Sequence, residues 1–309
     1  MFVSIRGRVL LNVEALNMTE SVGNYVKHRR VPVILPSNGY TTLFVPAISG
    51  ESIAHGFQAL LAEVAKKNNL PVCKLCEKGI FLKSTNNSVF SNAFNEEAPS
   101  DDFELEKRVL SKCVVEDIGG FLYAEKMNVK RTSNFFTGYM IPVKETLENV
   151  VIEPQLHSRY ALGTPFVQQQ GQMIYYVELS SAIYTFSFDF DAKFVGKTTF
   201  SYQNAGKEVV TDRKQRIEAT LEAIKKFLVE FSFGAKKTRF MPVVEWESLA
   251  IAVSDDTWTV PSPFSKNYIE NAKKKLDKVN YNTKLFVYPE QGNFEEVISL
   301  AMDEAKRRI

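Results

Sequence analysis

Histidine and cysteine are scarce in this chain of 309 residues, three of each, and the scarcity removes several catalytic chemistries at once. His28, His55 and His157 stand at no metal-ligand spacing, and no HExxH occurs. An odd, sparse set of cysteines argues against a disulfide framework and for a reducing compartment. Cys73-Lys-Leu-Cys76 is a single CxxC, and a structural zinc site needs two further ligands where only Cys113 is left over. No metal and no cofactor are therefore expected. The glycine signatures of nucleotide and hydrolase chemistry are missing too: there is no P-loop, no GxGxxG and no GxSxG elbow. No apolar run approaches the ~20 residues that span a bilayer. The opening MFVSIRGRVLLNVEAL carries charges inside its apolar pattern and lacks a small-residue cleavage site, so no signal peptide is expected. Together these absences predict a cytoplasmic protein that does not enter a membrane.

Charge of one sign is also lacking. The formal net charge is only +2, which excludes a broadly basic coat. The positive charges are clustered instead, in KHRR at 27–30, GAKKTR at 234–239 and KVNYNTK at 278–284. Local basic loops on a near-neutral chain suggest a confined polyanion site, although each loop alone could be simply solvated.

With 45% hydrophobic and 24% charged residues, the chain can build a sizeable core as one large domain or two small ones. Residues 2–13 alternate as a strand, with Val3, Ile5, Val9 and Leu11 on one face. Residues 14–40 read as a long polar loop, with VPVIL and TTLFVP flanking a tight turn at Asn38-Gly39. A helix follows, its stripe formed by Ile53, Phe57, Leu60, Leu61 and Val64 and its end marked by Asn68, Asn69 and Pro71. Residues 72–101 read as loop-rich, followed by a short helix from Asp101. Strand material resumes after Gly119-Gly120 and dominates 150–195. A second strong helix at 212–232 precedes a strand ending near Ser254, and two further helices are expected near 265–278 and 293–308.

Without the insertions the order is strand, helix, strands, helix, strand. That is the β-α-β-β-α-β plan of an α+β, ferredoxin-like or RNA-recognition-motif fold. Asp189 and Asp191 in FDFDAK could face a metal from one side of a strand, but a charged strand edge is the commoner origin of such a pair.

The start of the first helix is crowded: Pro46, Ser49, Gly50 and Ser52 fall within VPAISGES. Ser49 is a good N-cap. A helix start also presents free N–H groups and partial positive charge to an anion, so an ordinary cap and a phosphate site remain alternatives.

The blocks VPAISGESIAHGFQ, DIGGFLYA, VKRTSNFFTGYM and QLHSRYALG resemble the DevR-type backbone subunit of the type I CRISPR interference complex, Cascade, closest to its archaeal branch. The resemblance runs over almost the whole chain, and SGESIAH is its most specific element. It implies a single modified RNA-recognition-motif domain over 1–309, with an insertion of helix and loop at about 72–115 and a thumb-like hairpin at about 150–175. It also implies a non-catalytic subunit that binds CRISPR guide RNA, associates with copies of itself along that RNA, joins other Cascade subunits, and pairs target single-stranded DNA through the guide.

The RNA-binding residues it implies are Lys27, His28, Arg29 and Arg30 in the basic loop and Ser49, Gly50, Ser52 and His55 at the helix start. Arg131 and Ser133 would contact RNA from the palm, His157 and Arg159 from the thumb, and Lys236 and Lys237 from the loop after the second helix. Leu156, Tyr160, Leu162 or Phe166 would stack on displaced bases. Relatives in type III complexes cleave RNA with a loop aspartate; the corresponding loop here has Glu14 and Glu20 and no aspartate. An endoribonuclease using His28 or His55 as base, and a DNA-binding regulator without a guide, remain alternative readings.

Overall fold

The computed structural model describes residues 1–37, 39–160 and 172–309. Asn38 of the expected tight turn and Leu162 and Phe166 of the expected thumb lie outside the described residues, as do the side chains of Ser37, Arg159, Tyr160, Gln172 and Met173. The chain opens with β1 (Phe2–Glu14), β2 (Met18–Val22), β3 (Tyr25–His28), β4 (Arg30–Ser37), β5 (Gly39–Pro46) and α1 (Gly50–Lys67). Four short helices follow: α2 (Lys74–Glu77), α3 (Asn87–Phe94), α4 (Asp102–Lys112) and α5 (Val114–Gly119). Next come β6 (Phe121–Ala124), β7 (Asn128–Arg131), β8 (Phe135–Thr137), β9 (Val151–Tyr160) and β10 (Gln172–Asp191). The chain closes with α6 (Arg213–Glu230), β11 (Val243–Ser254), α7 (Tyr268–Leu276), β12 (Thr283–Tyr288) and α8 (Phe294–Lys306).

The alternation of Val3, Ile5, Val9 and Leu11 makes β1 a strand with one fully buried face. β1 pairs antiparallel with β10 on one side and β11 on the other, so that Ile5 lies opposite both Phe188 and Ile251. β8 pairs antiparallel with the far end of β10. The resulting order is β11-β1-β10-β8, visited by the chain as β1, α1, β8, β10, α6, β11. β12 extends the sheet beyond β11, while β9 and, in parallel, β3 attach to the opposite half of the long β10.

Apolar spacing in α1 and α6 buries the predicted stripes against this sheet. The Phe57 ring meets Phe135 and Phe188 at 4.9 Å each and Phe227 at 6.2 Å, all edge-on, an arrangement favoured by ring quadrupoles. A glycine is required at position 56, because a Cβ there would stand 2.2 Å from Phe233 Cβ. The other face of β11 is covered by Trp258, Val260, Tyr268 and Ala272 from the loop before α7 and from α7 itself.

Two expectations need correction. Residues 14–40 are strands rather than loop: β2 and β3 form a hairpin, and β4 pairs with β5. MTESV has no apolar alternation, and its strand is imposed by pairing to β3, which itself leans on β10. Within 72–101, α2 and α3 are helical, and their N-caps Cys73 and Asn86 accept the N–H of the third helical residue. Among the described residues no helix is long and apolar enough to cross a membrane.

A buried ion cluster ties the small helices to the core. Asp117 on α5 accepts from Arg131 Nη2 at 2.6 Å, from Arg216 Nη1 at 3.0 Å and from the Gly196 N–H at 3.0 Å. Glu106 on α4 accepts from Arg131 Nη1 at 3.2 Å and from the Thr199 and Phe200 amides at 2.9 and 3.0 Å. Asp117→Asn would leave two buried guanidinium groups short of charge and should cost about 3–5 kcal/mol. Denaturant unfolding measures this; a loss below about 1 kcal/mol would mean that the cluster tolerates an unpaired cation.

Candidate nucleic-acid interface

Ser49 occupies the N-cap of α1 with extended backbone angles, and its Oγ accepts the Ser52 N–H at 3.3 Å. Its own N–H donates to Asn17 Oδ1 at 2.6 Å, while the Asn17 carbonyl accepts the Arg29 N–H at 2.9 Å. The buried Asn17 amide thus fastens the helix start to the junction of β3 and β4. Gly50 brings the helix against the strand end at Thr137, whose carbonyl a Cβ would meet at 3.2 Å. Gly50, Ser133 and Tyr139 line one open groove. Glu51 points back over the helix start. Its carboxyl is held below the usual carboxylate range, first by its own backbone N–H and then by the Ser49 hydroxyl. The positive end of α1 therefore already faces one acidic group of the chain.

The basic segment 27–30 divides into four different environments. Lys27 pairs with Glu20 at 3.4 Å, and Arg30 pairs with Glu178 at 2.8 Å while remaining half exposed. Arg29 forms none of the ion pairs found among the described residues. Its guanidinium lies 5.9 Å from the centre of the exposed Tyr139 ring and donates to the Tyr139 hydroxyl at 3.3 Å; its Nε is buried without a partner. His28 is the exception to the predicted interface. It is 2% exposed, with Nε2 at 2.5 Å from Glu14 Oε1 and Nδ1 at 2.9 Å from the Arg29 carbonyl. A side chain closed in this way cannot reach a phosphate or act as a base on RNA.

Glu14 reaches His28 because the end of β1 is bulged. Simple alternation after Leu11 would turn Val13 inward and Glu14 outward. A register shift against β10 and a left-handed Val13, with φ of 58°, reverse them, leaving Val13 51% exposed and Glu14 fully buried. Glu14 Oε1 also accepts from Tyr184 Oη at 2.9 Å, and Oε2 accepts the Leu16 N–H at 2.8 Å.

The remaining predicted residues separate in the same way. Arg131 is 3% exposed and committed to the Asp117 and Glu106 cluster and to the Phe194 carbonyl at 2.8 Å, so it is removed from the interface. Ser133 is half-buried and donates to the Phe135 carbonyl at 2.7 Å. Ser52 is half-buried, and His55 is exposed with its ring edge against Phe81 at 5.0 Å. His157 on β9 stacks on Tyr175 at 5.2 Å and meets the edge of Phe240 at the same distance. That contact brings the β9–β10 ladder against the loop carrying the exposed Lys236 and Arg239, while the half-buried Lys237 donates to Ser232 Oγ at 2.8 Å. Gly234 keeps a left-handed φ of 95° and packs on Leu16, two residues from Glu14. Asn17, Tyr139 and Phe240 were not singled out in the sequence. Only Tyr139, flanked by Gly138 in FFTGYM, carried a local hint.

The CxxC was counted one ligand short, and here too the fold supplies what spacing does not. Cys73, Cys76 and Cys113 converge with Glu116, their ligand atoms all within 4.8 Å of one another and all four residues buried. The fourth group was overlooked because it is a glutamate, placed one helical turn beyond Cys113 by α5.

Comparison with known proteins places these features in context. Residues 5–273 match the family described as CRISPR-associated negative auto-regulator DevR/Csa2. The CRISPR-associated protein Cas7/Csa2 1 of Saccharolobus solfataricus is 38% identical over 93% of this chain and 88% of its own length. The CRISPR-associated aCascade subunit Cas7/Csa2 2 of the same organism is 37% identical over 88% of this chain and 85% of its own. Among solved structures, a chain of a "CRISPR RNA-guided surveillance complex" superposes with a TM-score of 0.54 at 12% identity, covering 99% of this chain and 100% of that one. That likeness concerns the fold alone.

The His28–Glu14 pair generates a pH prediction. Burial works against a charge on His28, but the hydrogen bond and charge of Glu14 outweigh it, and the pKa is raised above the ordinary 6.5. A raised folded pKa contributes stability in full below pH 6.5, and that stability is lost as pH rises through the folded value. The wild-type chain should therefore lose more stability than His28→Gln between about pH 6 and about pH 9. Parallel unfolding curves for the two chains would contradict a protonated pair.

Proposed function

The chain belongs to the DevR/Csa2 family of CRISPR-associated proteins, and on that premise we propose that it is a non-catalytic backbone subunit of Cascade that binds guide RNA. One observation carries the reading: the start of α1, Arg29 and Tyr139 converge on one surface, Asn17 joining the first two and the Tyr139 hydroxyl accepting from Arg29. Backbone amides, a cation that forms no ion pair among the described residues and an exposed aromatic face suit a sugar-phosphate strand of any sequence. The order β11-β1-β10-β8 with α1 and α6 on one face supports the modified RNA-recognition-motif core that this reading assumes.

In this reading Arg29, Ser52 and the amides near Gly50 hold phosphates, with Lys27 and Arg30 exchanging their acidic partners for the RNA. Lys236, Lys237 and Arg239 continue the path toward β9 and β10, the base of the thumb, from which His157 and Arg159 approach the guide. Copies of the chain associate along the RNA, other Cascade subunits join them, and target single-stranded DNA pairs with the guide it holds. A non-catalytic role is supported by Glu14 and Glu20, which are engaged with His28 and Lys27.

Sequencing the nucleic acid that copurifies with the chain tests the assignment. Short CRISPR-derived RNA is the expected result. Plasmid DNA would favour a regulator, and RNA cleavage lost in His55→Ala would favour a nuclease. Two binding measurements test the surface. Arg29→Ala should weaken binding to all single-stranded RNAs alike and lower the log-salt slope by about 0.7. Glu51→Gln should strengthen binding, because the acid that now faces the helix start would no longer repel the phosphate; unchanged affinity would place the RNA elsewhere.

A further inference from the structure

We propose that Cys73, Cys76, Cys113 and Glu116 form a structural zinc site that staples both ends of the helical segment between α1 and β6. The four ligand atoms come from two places. Cys73 and Cys76 flank the start of α2, just beyond α1, while Cys113 and Glu116 share one face at the start of α5. Cys73 and Glu116 are 43 residues apart in sequence, yet the chain brings them together without any disulfide: the three cysteines are free thiols.

The four ligand atoms lie within 4.8 Å of one another, and one separation has the value that a tetrahedral cation would set. Zinc with bonds of about 2.3 Å to sulfur and about 2.1 Å to oxygen holds a sulfur and an oxygen about 3.5 Å apart. Cys73 Sγ and Glu116 Oε1 stand 3.5 Å apart. Cys73 Sγ also accepts the Cys76 N–H at 3.4 Å, a contact that stabilises a thiolate. The second Glu116 oxygen accepts from Ser84 Oγ at 2.6 Å, the kind of outer partner that orients a carboxylate ligand. Burial then makes the argument about charge. Glu116 is 1% exposed and the three cysteines are at most 4% exposed, so the four groups can give up their protons together only where a cation takes their place. Lys83 donates to the Gly119 carbonyl at 2.8 Å and supplies only one positive charge nearby. A divalent cation bound by all four groups would supply two further positive charges at their centre.

Three thiolates and one carboxylate leave no open coordination position, so the site is structural rather than catalytic. Binding would require the two ends of the helical segment to meet, which makes metal affinity part of the folding of α2 to α5.

The test uses the tag-free, full-length chain purified without chelator. Elemental analysis should find about one zinc per chain, and replacement by cobalt(II) should give thiolate-to-metal charge-transfer absorption with tetrahedral ligand-field bands. In Cys76→Ser/Cys113→Ser the zinc content should fall below about a tenth of that value, and the cobalt charge-transfer band should disappear. Wild-type metal content is measured independently of the variant, so a misfolded variant does not protect the idea. Zinc-free wild-type chain that also fails to take up cobalt(II) would overturn the proposal. Full zinc retention in the double variant would overturn it equally.

Discussion

The surface assigned to nucleic acid depends on one buried carboxylate. Glu14 closes β1 and, from inside the protein, holds the His28 imidazole, the Tyr184 hydroxyl and the Leu16 amide. It thereby fixes the end of β3 and the middle of β10 against β1. The cost is local: a β-branched residue, Val13, sits in the left-handed region, where strain is of order 1–3 kcal/mol. Without that bulge the carboxylate would point outward, and the end of β3 would be held from inside by Glu178 alone, which accepts the His28 N–H at 2.8 Å. From the fixed points follow Asn17, the N-cap of α1 and the position of Arg29. The constraint lies in the protein interior, and its consequence appears on the surface.

A second theme is that similar cations serve opposite purposes according to their surroundings. Arg131 and Arg216 are as buried as leucines and are matched by Asp117, Glu106, Asp212 and backbone carbonyls. Such groups hold α4, α5, β7 and α6 together, since a buried charge is stable only when fully paired. Lys27 and Arg30 occupy the middle ground, paired but reachable. Arg29 alone of the 27–30 segment is left to an aromatic ring. A chain with a net charge of +2 can thus present a local cationic path, because other cations, Arg131 and Arg216 among them, are paired with acids elsewhere.

The helical segment between α1 and β6 obeys the same logic of closure. Its helices are short, and a four-residue helix such as α2 is not stable alone. Its own small core of Phe90, Leu105, Val109, Leu110, Phe121 and Val129 is separate from the main one. Tethers at the base, through the Asp117 cluster and the four converging ligand groups, compensate for that limited apolar burial.

What the sequence determined by itself was the long periodic elements and their order. β1, α1, α6 and β11 were legible because a single buried face imprints a period of 2 or 3.6 on successive residues, and the Ser49 cap was legible because its partner is three residues away. The strands β2 and β3, the fate of His28 and Arg131, and the role of Glu116 were not. Each depends on groups distant in sequence: β3 on β10, His28 on the bulged Glu14, Arg131 on Asp117 and Glu106, Glu116 on Cys73. A charged side chain carries no local mark of whether it will meet water or a buried counter-charge. Tertiary structure decided that, because the free energy of a charge depends on the dielectric and the partners that packing places around it.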